Sequence, residues 1–430
     1  MRRIVLEPGQ LLKESDLSRK GAFNAKAMAA ATAIIDDVRE RGDEALREYT
    51  AKFDGVEIQD FRVSQEAIDA AVAQCDQHVA ECLEHAAEQI REFHARQVHQ
   101  SWFEERENGA FVGTKYTPLD SVGIYVPGGR ALYPSSLLMN ALPASVAGVK
   151  RIVCCTPPTK DGSLDPAILK AAQLAGISEI YTVGGSQAIG AMAYGTESIA
   201  PVCKVTGPGN AFVAAAKKIV SGDCGIDMIA GPSEVCVVAN ESADPSLVAI
   251  DLMAQAEHDP LATCYLVTLS ESYVDQVEAC IAEHMKESTR ADITTASLND
   301  YGTVVVCPDM ATALEAVNVI APEHLELHFE GAINKLGAVR NAGAIFVGEW
   351  TAEAIGDYVA GPNHTLPTGG TARFSSPLSV DDFVKKSSVI CYSPEALTAD
   401  ADAVITIAHH EGLWAHAHSV ELRKDILDAQ

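Results

Sequence analysis

The pattern of apolar and polar positions divides the chain into a helical beginning and a long alternation of strands and helices. Residues 24 to 97 carry apolar residues at helical spacing among good helix formers, which predicts helices. From about residue 110, short β-rich runs alternate with helical stretches such as PAILKAAQLAG. This alternation predicts βαβ units, an α/β fold and mainly parallel sheets. The strand candidates are GIYVPGG, RIVCCTPP, EIYTVGG, VCKVTGPGN, EVCVVAN, TCYLVTLS, GTVVVCP and GAIFVGEW.

A further strand candidate, IAPEHLELHF at residues 320–329, carries unusual chemistry at its beginning. Apolar and polar residues alternate from Leu325 onward, and this period of two predicts a half-buried strand. Glu323 and His324 stand side by side just before it. For an isolated pair of this kind, a turn with solvated polar residues is the favoured explanation, and an acid-base pair is the alternative. Alternation alone predicts that the two side chains diverge.

Length, composition and charge narrow the class of protein. The 430 residues are too many for one ordinary core, so we expect two or more domains. A formal net charge of −27 disfavours nucleic acid as a partner. Neither a membrane-spanning apolar run nor a signal peptide is evident. The eleven scattered cysteines form no C-x-x-C pair, and we expect reduced thiols in the cytoplasm, with Cys154 and Cys155 packed in a core strand.

Glycine-bearing turns mark the ends of several predicted strands. VPGGR, VGGSQ and TGPGNAF follow strands, and IAGPSE precedes one. The carboxyl ends of strands in open α/β sheets are where ligands bind, and a dinucleotide is one candidate. The G-x-G-x-x-G fingerprint fails, because Phe212 stands where the third glycine is needed. No GKS or GKT sequence occurs, which excludes a P-loop.

Side chains of the metal-ligand type concentrate in three separate stretches. These are AQAEHDP, IGDYVAGPNHTLPTGG and HHEGLWAHAH. Gln255 and His258 are three residues apart and share a helix face. An H-E-x-x-H zinc helix is absent, because Trp414 occupies the place of the second histidine. A carboxylate-imidazole metal site stays open at this point, since the sequence does not show that these segments meet.

Together these blocks resemble the histidinol dehydrogenase family. The matching stretches, in family order from about residue 24, are VGIYVPGG, VGGSQAI, GPGNAF, AGPSEV, QAEHD, APEHLE, GDY…GPNHTLPTGGTARFSSPLSVDDF and EGLWAH. The resemblance implies two incomplete Rossmann-like domains with mainly parallel sheets, plus small, mainly helical terminal elements. The expected divisions are an arm at 1–23, helices and the start of the first α/β domain at 24–119, the second α/β domain at 120–232, the rest of the first at 233–378, and a helical tail at 379–430.

The resemblance implies an NAD-dependent and zinc-dependent oxidation of L-histidinol, through histidinal, to L-histidine. His324 would accept the alcohol proton, and Glu323 would activate the water that adds to the aldehyde. Only the family supports Gln255 as a ligand, because the residues alone favour Glu257 or Asp259. The implied ligands of one zinc ion per subunit are Gln255, His258, Asp357 and His416.

The resemblance also implies substrate and cofactor contacts. Beyond the zinc ligands and His324, substrate would be bound by Ser233, His364 and Glu411. NAD would be bound by Tyr125, Gln187 and Asn210. The family forms homodimers with exchanged tails, so Glu411 and His416 would reach the partner's active site. For His410 and His418 no role is implied.

Three other interpretations compete with this one. A related zinc- and NAD-dependent dehydrogenase of the same superfamily would act on another polar alcohol and would change the residues at the substrate's ends. A zinc-holding scaffold without catalysis would not need the pair Glu323 and His324. A nucleic-acid-binding protein is disfavoured by the negative charge.

Overall fold

The computed structural model describes residues 1–17, 19, 25–128 and 132–429. The end of the VPGGR turn and the expected boundary at residues 23 and 24 lie outside these residues. The chain forms two compact units. The first unit comprises Met1–Gln97 and Leu119–Phe383, and the second comprises Val98–Pro118 and Val384–Gln430.

Fourteen strands occur in the described part of the chain. In chain order they are β1 Arg2–Val5, β2 Trp102–Glu105, β3 Phe111–Pro118, β4 Ser121–Tyr125, β5 Arg151–Cys155, β6 Glu179–Tyr181, β7 Lys204–Thr206, β8 Gly225–Ile226, β9 Glu234–Ala239, β10 Thr263–Thr268, β11 Thr303–Val306, β12 His324–His328, β13 Ala344–Val347 and β14 Val384–Cys391. All nine strands predicted from the sequence are present.

Fifteen α-helices separate or flank these strands within the same described ranges. They are α1 Ala25–Arg41, α2 Asp43–Phe53, α3 Gln65–Val72, α4 Gln77–Ala95, α5 Pro134–Ala147, α6 Pro166–Ala175, α7 Gly185–Tyr194, α8 Ala211–Val220, α9 Pro245–Ala256, α10 Glu271–His284, α11 Ala291–Asp300, α12 Met310–Ile320, α13 Glu353–Tyr358, α14 Pro394–His410 and α15 Trp414–Asp428.

The first unit contains two parallel sheets with one common strand order. The five-stranded sheet runs β6-β5-β4-β7-β8, and the six-stranded sheet runs β1-β11-β10-β9-β12-β13. All their pairings are parallel. Counted within each sheet, the order is 3-2-1-4-5, with β1 added beside the third strand of the larger sheet. This is a Rossmann arrangement that lacks its last strand, so the predicted fold class is confirmed.

Local sequence signals explain where the helices begin and end. Asp165 caps α6 by accepting a hydrogen bond from the backbone of Ala167, and Pro166 occupies the first helical position. Gly176 ends this helix in the left-handed conformation. The strands are rich in β-branched residues and cysteine, and Cys154 and Cys155 are fully buried in β5 as expected.

Strand β12 is buried on both faces, so the prediction of a half-buried strand is wrong. It lies between β9 and β13, and all five of its residues are buried. Leu325 and Leu327 pack into the apolar core of the sheet. The opposite face carries polar residues and meets the polar side of α9 and α13, as described below. The alternation therefore identifies correctly which residues share a face of the strand. It does not show whether the polar face contacts water or a buried polar site.

The helices of residues 25–95 pack against the helices that flank the five-stranded sheet. Helix α1 contacts α7 and α8, and α4 contacts α5 and α6. These contacts favour grouping the helices with residues 120–232 rather than with 233–378, although the expected domain divisions as a whole stay a prediction. The helical pattern of residues 77–95 predicts that His94 lies on a solvated face of α4, but His94 is fully buried, and its Nδ1 lies 2.7 Å from Oε1 of Gln97.

The second unit is built on a small antiparallel sheet. Its strands run β14-β3-β2, and α14 packs against α15. Strand β14 lies in a stretch that the sequence pattern assigned to a mainly helical tail. No helix in the described ranges has both the length and the apolarity needed to cross a membrane.

Candidate active site

The backbone N–H and carbonyl groups of Glu234, at the start of β9, hold both members of the Glu-His pair. The N–H of Glu234 donates to Oε2 of Glu323 at 2.8 Å, and Nδ1 of His324 donates to the carbonyl oxygen of Glu234 at 3.0 Å. Glu323 precedes β12, so the rule that successive side chains of a strand point to opposite faces does not apply to it. The two side chains therefore converge, with Nδ1 of His324 lying 3.9 Å from Oε2 of Glu323.

This arrangement fixes the tautomer of His324. A carbonyl oxygen only accepts, so Nδ1 carries the hydrogen and Nε2 carries the free lone pair. Nε2 is buried, has no hydrogen-bond partner among the described residues and lies 4.0 Å from Oδ1 of Asp357. Burial lowers the pKa of His324, which favours the neutral imidazole. The side chain is thus poised to accept a proton at Nε2.

Burial acts on Glu323 in the opposite direction. It raises the pKa of this carboxyl well above its usual value, and the nearby charges of Glu234 and Asp357 add to the rise. The hydrogen bond from the backbone of Glu234 opposes that rise. The raised pKa of the carboxyl group and the lowered pKa of the imidazole bring the proton affinities of the two groups closer together.

A cavity of about 440 Å³ opens beside this pair within the first unit. His324, Asp357 and His364 supply polar groups to its wall, and Phe346 and Leu366 supply part of its apolar lining. Cavities of this size hold small organic molecules, and a few convergent polar groups orient them. The site can therefore take a compact polar substrate with an apolar or aromatic part.

The first unit carries three of the four predicted zinc ligands. Gln255 lies on α9, His258 lies two residues beyond this helix, and Asp357 lies on α13. Gln255 is fully buried, and its Oε1 has no hydrogen-bond partner among the described residues. Its amide nitrogen lies 3.3 Å from Nδ1 of His258. His416 lies on α15 in the second unit and is exposed. An unpartnered buried amide oxygen beside an imidazole fits a ligand of a zinc ion.

Of the three predicted substrate residues outside the zinc ligands and His324, His364 has clear local partners. Nδ1 of His364 donates to the carbonyl oxygen of Asp357 at 2.9 Å, and its Nε2 lies 3.2 Å from Oγ of Ser136. Ser233 is half-buried and immediately precedes β9. Glu411 is exposed in the second unit, at the end of α14.

The predicted NAD residues lie at the carboxyl edge of the five-stranded sheet. Tyr125 ends β4, and its hydroxyl accepts a hydrogen bond from the backbone of Gly185 at 3.1 Å. Gln187 is buried in the first turn of α7, and its Oε1 has no hydrogen-bond partner in the described ranges. Asn210 caps α8 through its side chain.

A close backbone approach explains one glycine at this edge. Gly207 has φ +118°, and a Cβ atom there would lie 2.1 Å from the carbonyl oxygen of Tyr125. The turn is held by Lys217, whose Nζ donates to the carbonyl oxygen of Gly207 and pairs with Asp227. Exposed helix N-termini beside such turns favour phosphate groups.

Beside the Glu-His pair lies a buried cluster that the sequence analysis did not identify. Asp251, Glu326 and His328 bring one ligand atom each within 4.8 Å of one another, a spacing that could hold a metal ion. Glu353 lies beside them with one oxygen 3.9 Å from Nδ1 of His324. Two signals were present in the sequence: Glu326 and His328 share the face of His324, and Asp251 lies four residues before Gln255.

Comparison with known proteins decides the family. The model of the histidinol dehydrogenase family matches residues 17–424. The chain belongs to the histidinol dehydrogenase family. The histidinol dehydrogenase of Bacillus subtilis is 52% identical over 391 residues, which cover 91% of this chain and 92% of that protein. The one from Clostridium acetobutylicum is 50% identical over 414 residues, which cover 96% and 95%.

A solved structure agrees with this assignment. The crystal structure of histidinol dehydrogenase from Elizabethkingia anophelis has a TM-score of 0.95 and 36% identity, and the match covers 100% of this chain and 99% of that one. The resemblance inferred from the motifs is confirmed. As a histidinol dehydrogenase family member, the chain is an oxidoreductase that oxidises histidinol to histidine with NAD, in a family that uses zinc. The site residues stay predictions.

Proposed function

We propose that Glu323 and His324 carry the proton transfers of the oxidation of L-histidinol, through histidinal, to L-histidine. The observation that supports this is the pair of hydrogen bonds to the backbone of Glu234, which leaves Nε2 of His324 beside the cavity without a hydrogen-bond partner among the described residues. In the first oxidation, hydride leaves the carbinol carbon for NAD⁺ while Nε2 accepts the hydroxyl proton.

The second oxidation needs water. Glu323 takes a proton from the water that adds to the aldehyde carbon, and the protonated His324 returns its proton to the aldehyde oxygen, which gives the hydrate and restores the neutral imidazole. Hydride then leaves the same carbon for a second NAD⁺, His324 accepts the hydroxyl proton, and the carboxylic acid forms. Two hydrides and one water account for the change from alcohol to carboxylate. A neutral imidazole at rest, as its burial favours, suits both proton transfers.

The zinc ligands we propose are Gln255, His258, Asp357 and His416. Zinc at this site supplies a fixed anchor that orients the substrate by its nitrogen and oxygen donors. His364 steadies Asp357 through the backbone and faces the cavity, where it meets one polar end of the substrate. Ser233 and Glu411 are proposed to bind the remaining polar groups.

We further propose that the cofactor binds at the carboxyl edge of the five-stranded sheet, through Tyr125, Gln187 and Asn210. Two of the three have local roles already, as an acceptor for Gly185 and as a helix cap. Their polar groups lie next to backbone that glycine lets a ligand approach.

The proposed assembly is a homodimer in which the second unit of each chain completes the partner's site. The exposure of Glu411 and His416 supports this, because neither side chain is engaged in a core. Eleven free thiols support a reducing compartment, and we propose the cytoplasm. Mixing His324→Ala chains with His416→Ala chains tests the exchange. Restored activity on subunit mixing is expected, and its absence in dimers of proven mixed composition would contradict it.

The activity is tested by counting NADH formed per L-histidinol consumed, on metal-stripped protein before and after zinc is added. A ratio near two that depends on zinc supports both oxidation steps. A ratio near one means that the aldehyde escapes. If no NADH forms, the reaction is another one, and other polar alcohols with the same metal requirement are the next substrates.

A further inference from the structure

Glu326 connects strand β12 to the beginning of helix α13. Its Oε1 accepts a hydrogen bond of 3.0 Å from the backbone N–H of Glu353, the first residue of α13. Asp357 lies one turn later on the same helix and approaches His324 to 4.0 Å. Two residues along a strand and one turn of a helix cover similar lengths, about 6 Å. Fixing the first turn of α13 at Glu326 therefore sets where Asp357 meets His324.

The same carboxylate also meets helix α9. Oε2 of Glu326 lies 3.3 Å from Nε2 of His328, which in turn lies 3.8 Å from Oδ2 of Asp251. Burial, followed by the charge of Glu326, raises the pKa of Asp251 to about 7, which agrees with a proton held between the two carboxyl groups. Gln255 lies one helical turn beyond Asp251. Asp251, His328 and Glu326 thus connect the turn of α9 that precedes Gln255 to strand β12.

We propose that Glu326 is a positioning residue for this reaction. From the centre of β12 it holds the helices that carry Gln255 and Asp357 at a fixed distance from His324. Glu326 is fully buried and is separated from the cavity, so it does not touch the substrate. The inference rests on the proposed zinc ligands, and it extends them to a second layer of side chains. Such layers commonly change metal affinity by about 10- to 100-fold.

The variants separate the hydrogen bond from the charge. Glu326→Gln keeps an oxygen that accepts from Glu353, whereas Glu326→Leu removes it with little change in volume. The matched control is Tyr273→Phe on α10, which removes the buried hydrogen bond that the Tyr273 hydroxyl donates to the carbonyl oxygen of Ala243. For each full-length protein we would measure zinc affinity by chelator competition, zinc content, kcat, the KM for NAD⁺ and thermal unfolding.

The expected result is a split between variants. Glu326→Leu should weaken zinc binding at least tenfold and lower kcat by a similar factor, with the KM for NAD⁺ unchanged. Glu326→Gln should stay within about threefold of the unaltered protein in both. Tyr273→Phe should lose stability only. A folded Glu326→Leu protein with unchanged zinc affinity and kcat would overturn the proposal, and so would equal losses in the two Glu326 variants.

Two further results keep the test decisive. If Glu326→Leu does not fold, the comparison of Asp251→Asn with Asp251→Leu replaces it, and equal zinc affinity in both would overturn the proposal. A second tightly bound zinc ion per chain that disappears in His328→Gln would also overturn it, because the cluster would then be a metal site. Failure of the proposed function looks different, since the unaltered protein would then bind no zinc and form no NADH.

Discussion

The two parallel sheets of the first unit share one strand order, yet their predicted sites lie at opposite edges. The five-stranded sheet places Tyr125, Gln187 and Asn210 at its carboxyl edge, beside glycine turns and helix N-termini. The six-stranded sheet places Glu323 and His324 at its amino edge, where β12 begins. The first edge offers backbone and helix ends, whereas the second offers buried ionisable side chains.

This difference follows from what each ligand needs. A dinucleotide is held largely through its phosphates, for which backbone N–H groups and close approach suffice. Proton transfer needs side chains with shifted pKa values, and burial supplies the shifts for Glu323 and His324. Helix α9 runs back toward the amino edge of its sheet, and so it brings Gln255 and His258 to the same end as the pair. On these predictions, one sheet binds the phosphates of the cofactor and the other carries the groups that transfer protons.

The largest effect expected is on His324. In His324→Ala, kcat should fall by about 10²- to 10⁴-fold, because the base at Nε2 is lost. The KM for NAD⁺ should stay unchanged if the two edges are separate. Steady-state kinetics and cofactor titration measure both quantities. A loss of NAD⁺ affinity as large as the loss of kcat would contradict the separation of the two sites.

Next in size is the loss of the unpartnered amide oxygen. Gln255→Leu should weaken zinc binding by at least about 100-fold, since even outer partners of a metal ligand commonly contribute 10- to 100-fold. Chelator competition measures this affinity. Glu257→Leu, at a half-buried neighbour on the same helix end, is the matched control, and it should leave zinc affinity unchanged. Similar losses of zinc affinity in both variants would contradict the assignment of Gln255 as a zinc ligand.

At the other edge, Gly207→Ala tests the close backbone approach. The new Cβ atom would meet the carbonyl oxygen of Tyr125, and the φ of +118° adds strain, so stability should fall by about 1–3 kcal/mol. The KM for NAD⁺ should rise, whereas zinc affinity should not change. Thermal unfolding and kinetics test this, and a shift in zinc affinity without one in the KM for NAD⁺ would contradict the separation.

The smallest effect expected is on Asn210. Asn210→Ala should cost about 1 kcal/mol of stability through the lost helix cap and should raise the KM for NAD⁺ a few-fold. Asp309→Ala removes an equivalent cap from α12, which packs against the six-stranded sheet. It should lower stability to a similar extent without changing the KM for NAD⁺. Equal KM values in the two variants would leave Asn210 as a cap only.

The sequence predicts the strands and the α/β class well, because β-branched runs and helical periodicity are local signals. It does not reveal that Glu323 and His324 both bond to the backbone of Glu234. These two hydrogen bonds join residues that are 89 and 90 positions apart in the sequence. Burial is the second gap. His94 and the polar face of β12 look solvated by pattern, and only packing shows that they are buried.

The most direct test of the account is the number of NADH molecules formed per active site by Glu323→Gln in a single turnover of L-histidinol. The unaltered protein should give two. The variant should give one promptly and the second at least about 100-fold more slowly, with histidinal detected, because the first oxidation needs only His324. Two NADH molecules formed at the unaltered rates would contradict the assignment of water activation to Glu323.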